Sequence, residues 1–264
     1  MDFSSYEHFT FDRSGRILTV TFNRPEHLNA VSGRMHRELG HLFVDIAHDP
    51  DSDIIVLTGA GRAFSAGGDF DLLLEQNAHP HILHAAVRES KQAIFAFLDC
   101  HKPIIGRING DAIGLGATLA LLCDISIAVD TARFGDPHVK VGLTAGDGGA
   151  VIWPQLIGFA RAKQYLFSGD LLKAPEAAAM GLINFSVTAD ELDARVGEWA
   201  AKLAALPQLA LRTTKTLTNM ELKRIAHASM DAGMAYESMT MISSDLREAV
   251  NAMQERRKPI LTGQ

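Results

Sequence analysis

Phe64-Ser65-Ala66-Gly67-Gly68-Asp69 and, 45 residues further on, Asn109-Gly110-Asp111-Ala112-Ile113-Gly114-Leu115-Gly116 are the stretches whose reading decides the fold. Each follows an apolar run read as a strand, at 54–58 and at 104–108, and the second leads directly into an apolar helix over 117–122. A glycine-rich loop alone is ordinarily just a turn. Two of them placed alike after successive strands carry a stronger meaning. Glycine lets the backbone approach a ligand, and the first turn of a helix has N–H groups without intrahelical partners. Two such loops that converge would aim two N–H donors at one oxygen, as stabilising an enolate or a tetrahedral oxyanion requires.

Outward from these loops, strands and helices alternate. A strand is expected at 17–22, stopped by Asn23-Arg24-Pro25. A helix is expected at 33–48, with Ser32 as its N-cap and Met35, Leu39, Leu42, Phe43 and Ile46 as its apolar stripe. A further helix is expected at 82–98 and a strand at 125–129. Beyond residue 160 the pattern turns helical, at 161–168, 175–180, 190–206, 209–226 and 232–254. Alternation of this kind indicates repeated β-β-α or βαβ units, an α/β fold, with a helical C-terminal third.

Composition narrows the function. The chain has 264 residues, 47% hydrophobic and 21% charged, as in ordinary globular proteins. Its net charge of −6 offers no general attraction to nucleic acid or anionic membranes. Two cysteines, Cys100 and Cys123, make neither a disulfide framework nor a metal-ligand spacing. With no apolar leader and no uninterrupted apolar run of spanning length, a cytoplasmic location is expected. The histidines at 27, 36, 41 and 48 lack a carboxylate pattern such as His-Glu-x-x-His and are read as a solvated helix face, so no metal or redox cofactor is expected.

The two loops, together with Asn23-Arg24-Pro25-Glu26-His27-Leu28-Asn29-Ala30, Cys123-Asp124-Ile125, Phe134-Gly135-x-Pro137 and Met180-Gly181-Leu182-Ile183-Asn184, resemble the crotonase superfamily, that of enoyl-CoA hydratases and isomerases, over nearly the whole chain. The resemblance implies a crotonase-like spiral of β-β-α repeats over 1–200 and a helical C-terminal trimerisation region over 201–264, with trimers often paired into hexamers. It implies an acyl-CoA substrate, coenzyme A entering as part of that substrate and not as a separate cofactor. The oxyanion hole would be the N–H groups of Gly68 and Leu115. Glu26, Leu28 and Ala66 would lie near the CoA moiety, with Gly67, Asp69, Gly114 and Thr118 around the substrate. From the residues alone, Asp69 reads as a helix cap, and Thr118 either lines the pocket or bonds back to its helix. The Arg256-Arg257-Lys258 tail is either a solvated end or a reach towards CoA phosphates.

The departure from the family pattern matters as much. Hydratases usually carry two glutamates at the positions of Thr118 and His138, and neither is present. What stands there instead is His138, followed by Asp147 in Gly146-Asp147-Gly148-Gly149. Histidine titrates near neutrality and acts as a general base, and a carboxylate on its other ring nitrogen would fix its tautomer. The read-out of His138, Asp147 and a later Glu237, with Ile152-Trp153-Pro154 between them, is similar to that of the superfamily's β-diketone hydrolases. Three readings follow: water addition to an acyl-CoA by a His/Asp pair; hydrolytic C–C cleavage of a cyclic β-diketone or β-keto CoA ester; and a non-catalytic acyl-CoA-binding protein.

Overall fold

A computed structural model describes residues 1–264. Strands β1 (Phe9–Ser14) and β2 (Ile17–Phe22) form an antiparallel hairpin and lead to α1 (Gly33–His48). Three similar units follow. The first is β3 (Ile54–Gly59), β4 (Ala63–Ser65), α2 (Phe70–Ala78) and α3 (Pro80–Asp99). The second is β5 (Ile104–Ile108), β6 (Asp111–Ile113) and α4 (Leu115–Leu122). The third is β7 (Ile125–Val129), β8 (Arg133–Gly135) and α5 (Gly149–Ser168). In every unit the longer strand enters a six-stranded sheet of order β1-β2-β3-β5-β7-β10. The short strand behind it enters a four-stranded sheet of order β4-β6-β8-β9. The chain closes with β9 (Leu172–Lys173), α6 (Ala174–Ala179), β10 (Phe185–Val187), α7 (Leu192–Ala204), α8 (Gln208–Met241) and α9 (Ser244–Gln254). This is the expected spiral of β-β-α turns.

The pairing explains the sequence. All six residues of β3 are buried, because it pairs in parallel with β2 and β5 and is covered on both faces, hence its continuous apolar run. In α1 the stripe Met35, Leu39, Leu42, Phe43 and Ile46 packs on α3, and Ser32 accepts from Met35 N–H at 3.3 Å, a cap worth about 1 kcal/mol.

The C-terminal elements differ from expectation. Residues 208–241 form one unbroken 34-residue helix, where two helices were expected to meet between 226 and 232. His227-Ala228-Ser229-Met230-Asp231 contains no breaker, and Met230 is buried there. The break comes instead at Ile242-Ser243, where Ser243 caps α9. Helix α5 begins at Gly149, twelve residues before 161, because its glycines and Pro154 disguise a helix that is broken only at Gly158 (φ 76°). The division drawn at 200/201 falls within α7, which packs on β3, β5 and β7. No helix is long and apolar enough to cross a membrane.

Candidate active site

The two glycine loops meet. Gly67 has φ 82°, and a side chain on it would place Cβ 2.6 Å from the carbonyl oxygen of Ile113. Only glycine fits a left-handed backbone pressed so closely on its neighbour. The contact sets Gly68 and Leu115 on one cavity of about 220 Å³. Gly68 N–H donates to no group of the protein, and Leu115, as the first residue of α4, has no intrahelical acceptor for its own. Two free backbone donors therefore line the cavity. Its remaining wall is mostly apolar, including Leu73, Leu83, Val87, Leu143 and Met241.

Beside the loops stands a cluster of acids around one histidine. The chain leaves β8 through Asp136, whose carboxylate caps a short 3-10 turn over Pro137–Val141. That turn points His138 at the cavity, where its ring lies 3.5 Å from where a Cβ on Gly114 would be. Asp136 Oδ1 engages His138 Nδ1, and Asp147 Oδ2 lies 3.5 Å from Nε2. The imidazole thus bridges two carboxylates. Asp147 is carried by the Gly146–Gly149 loop, which packs on α8 so closely that a Cβ on Gly146 would be 2.2 Å from the Gly233 carbonyl and 2.9 Å from Glu237 Cβ. Glu237 joins the cluster through that packing.

Electrostatics divides these groups. Burial acts to lower the His138 pKa, but the charges of Asp136 and Asp147 outweigh it and hold the imidazole well above its ordinary 6.5. Burial acts to raise Asp147, and the positive imidazole overcomes it, so Asp147 is held low and ionised. Glu237 is pushed up to about 8, by burial first and the Asp147 charge second, against the attraction of His138. At neutral pH the site holds an imidazolium at His138, the ionised carboxylate of Asp147 and the neutral carboxylic acid of Glu237. Asp147 Oδ1 and Glu237 Oε2 are buried and have no hydrogen-bond partner within the protein. Both residues line the cavity.

Of the residues picked from sequence, Ala66, Gly67, Gly68, Gly114, Leu115, His138, Asp147 and Glu237 line this cavity. The others do not. Thr118 is fully buried behind it with its hydroxyl unpartnered, its methyl beside Gly148. Asp69 caps α2 through Asp71 N–H and pairs with Arg24 at 3.1 Å. Glu26 is exposed and Leu28 half-buried, away from the acid cluster, although the Leu28 carbonyl accepts from Ala66 N–H at 3.0 Å. Arg257 of the tail is engaged by Glu248 and Glu255.

Two corrections arise. The carboxylate that orients His138 through Nδ1 is Asp136, and Asp147 sits at the other nitrogen. The only sign of Asp136 in the sequence was an acid between Gly135 and Pro137, where it passed as the variable residue of a motif. Secondly, His36 is buried and lines the cavity, whereas His27, His41 and His48 are exposed as expected. Asp136, His138 and Asp147 have ligand-type atoms within 4.8 Å of one another. Because the carboxylates engage opposite ring nitrogens, which point away from each other, the arrangement is a bridged hydrogen-bond array and not a chelating set.

Comparison with known proteins agrees with this architecture. Residues 12–264 match the family model described as enoyl-CoA hydratase/isomerase. A short-chain-enoyl-CoA hydratase of Clostridium acetobutylicum is 33% identical over 253 residues, covering 94% of each chain. Among solved structures, an enoyl-CoA hydratase/isomerase from Mycobacterium paratuberculosis superposes with a TM-score of 0.91 at 35% identity, over 94% of this chain and 99% of that one. A β-diketone hydrolase of the cyanobacterium Anabaena, bound to (S)-3-oxocyclohexyl acetic acid, superposes with a TM-score of 0.85 at 32% identity, over 93% and 97%.

Proposed function

The chain belongs to the enoyl-CoA hydratase/isomerase family, and from that premise we propose that it adds water to an acyl-CoA thioester held by the N–H groups of Gly68 and Leu115. The observation that carries the reading is that Asp147 and Glu237, each with a buried oxygen that has no hydrogen-bond partner in the protein, line the same cavity as those two free donors. One carboxyl is held ionised and the other protonated, the division of labour that acid–base catalysis needs. The pair replaces the family's two glutamates from different positions in the chain.

The thioester carbonyl oxygen accepts from both backbone donors, and negative charge that develops on it is stabilised, each donor contributing about 3 kcal/mol. Asp147 takes a proton from water as the water oxygen attacks the β-carbon of the substrate's 2,3-double bond, whose π electrons move onto the α-carbon and the thioester oxygen. Glu237, still protonated at neutral pH, delivers its proton to the α-carbon. His138, pinned through Nδ1 by Asp136, holds Asp147 in place and keeps it ionised. The base is therefore the carboxylate, with histidine as its charged support, the reverse of the order expected from sequence. Coenzyme A takes part as a portion of the substrate.

The second reading uses the same activated water for hydrolytic C–C cleavage of a cyclic β-diketone or β-keto CoA ester, with the donors holding the enolate that leaves. The likeness to the Anabaena β-diketone hydrolase favours it. Assembly into trimers or hexamers fits the exposed apolar residues Leu209, Leu217, Met220 and Met239 along α8, a surface that a second copy would cover.

Turnover of straight 2-enoyl-CoAs and cyclic β-keto CoA esters in ¹⁸O-water, wild type beside His138→Ala, tests these readings. Label in a 3-hydroxyl, lost in the variant, is the expected result. Label in a new carboxylate of a ring-opened product would replace hydration by C–C hydrolysis. Tight CoA-ester binding with no labelled product would leave an acyl-CoA-binding protein.

A further inference from the structure

A second array of hydrogen-bonded side chains opens on the same cavity, between α1 and α3. His36 Nε2 lies 2.9 Å from Ser90 Oγ, and His36 Nδ1 lies 2.8 Å from Glu89 Oε2. His36 and Ser90 are buried, and both line the cavity that also holds Gly68 and Leu115. Glu89 is half-buried at the edge, its side chain 26% exposed. A serine inside a helix ordinarily turns its hydroxyl back to the carbonyl one turn earlier. Ser90 instead directs its hydroxyl to His36, across the α1–α3 contact. Leu83, Ala86 and Val87 on the same helix make this wall of the cavity apolar, so the serine and the imidazole stand out from it.

Three properties bear on what such an array does. A carboxylate on Nδ1 fixes the proton there and leaves Nε2 as an acceptor, facing a hydroxyl. Nucleophile, base and orienting carboxylate within hydrogen-bond reach of one another are the arrangement that activates a serine. Free backbone N–H donors line the same small cavity, so a ligand filling it meets both. A link whose only task was to join α1 to α3 would need neither a carboxylate on the far nitrogen nor an opening onto the cavity.

We propose that Ser90, His36 and Glu89 form a second reactive centre, a nucleophile–base–carboxylate array that transfers the acyl group of a thioester in this cavity onto Ser90 Oγ and then to water. Ser90 Oγ attacks the thioester carbonyl carbon, and its proton passes to His36 Nε2. The carbonyl oxygen, negative in the tetrahedral intermediate, accepts from Gly68 and Leu115 N–H. The C–S bond breaks, and the departing thiolate takes the proton from His36, which leaves an ester on Ser90 and free coenzyme A. Water then attacks the ester carbon through the same base. The carboxylic acid leaves, and Ser90 Oγ recovers its proton from His36. No redox partner or other co-reactant is needed. The identity of the thioester rests on the function proposed above, whereas the reactivity of Ser90 does not.

The test has two arms. In the first, the full chain is treated with a fluorophosphonate, which labels activated serines whatever their natural substrate, and the labelled peptide is mapped. Labelling at Ser90 is expected, absent in Ser90→Ala and slowed at least 100-fold in His36→Asn. Glu89→Gln, at a half-exposed position that leaves the fold intact, should slow labelling by a smaller factor in the same direction. In the second arm, crotonyl-CoA is incubated with wild type and with Ser90→Ala, quenched in acid, and examined for free coenzyme A and for a crotonyl mass increment on the Ser90 peptide. Both are expected in wild type alone. Failure of Ser90 to label, or labelling indifferent to His36 and Glu89, would overturn the proposal. Labelling in the first arm with no acyl adduct in the second would keep the nucleophile and discard acyl-CoA as what it acts on.

Discussion

The two halves of the candidate site are made of different material. One half is main chain: the N–H groups of Gly68 and Leu115, set by two glycine loops that touch at Gly67 and Ile113. The other half is side chain: Asp136, His138, Asp147 and Glu237, drawn from a 3-10 turn, a glycine loop and a long C-terminal helix. Each half is therefore vulnerable in its own way. The main-chain half tolerates a change of side chain at a donor but not a change of backbone shape. In the side-chain half each group sets the charge of the next, so a single replacement redistributes protons across the cluster.

The sharpest way to separate the halves is His138→Ala. It leaves both backbone donors in place, so thioester binding by calorimetry should stay within a few-fold, while steady-state turnover falls by about 10³-fold or more. Comparable losses in both would merge the two halves into one. Gly67→Ala attacks the other half. A Cβ there collides with the Ile113 carbonyl at a positive φ, and distortion of the donors should cost about 10²-fold or more in kcat.

Glu237→Gln comes next, and its clearest readout is stability against pH. Glu237 titrates near 8 in the folded chain and near 4.5 when unfolded, so between these values the native state holds the extra proton. Stability contributed at this position therefore falls as pH rises from about 4.5 to about 8. The glutamine, which has no proton to lose, should raise Tm above wild type at pH 8, with the gap closing towards pH 4.5. A gap independent of pH would remove Glu237 from the account as an acid. The smallest effect is expected for Leu115→Ala, which changes bulk and keeps the N–H; kcat should remain within about threefold of wild type.

Much of this was legible in the sequence because glycine spacing reports backbone geometry directly. Loops that must touch need residues without Cβ, and the paired apolar strands before them fix their placement. The acid cluster was legible only in part. His138 and Asp147 are nine residues apart, and the fold alone brings them together. Asp136 was missed because what matters is the direction in which a 3-10 turn aims its cap. His36 was missed because it lies beside the apolar stripe of α1 between Arg34 and Arg37, a setting that reads as solvent-facing until α3 covers it. The helix break expected near 226–232 failed for a related reason: polar residues lower the apolar signal without breaking a helix.

The choice of base turns on the charge of one imidazole. If Asp136 and Asp147 clamp His138 as an imidazolium, the carboxylate of Asp147 is the base. ¹⁵N NMR of the histidine ring at pH 7.5 measures this directly, with His138→Gln to assign the signal. Protons on both His138 nitrogens are expected at that pH, with a return towards ordinary titration in Asp136→Asn. A neutral ring with a bare nitrogen at pH 7.5 would contradict it and make the histidine itself the base.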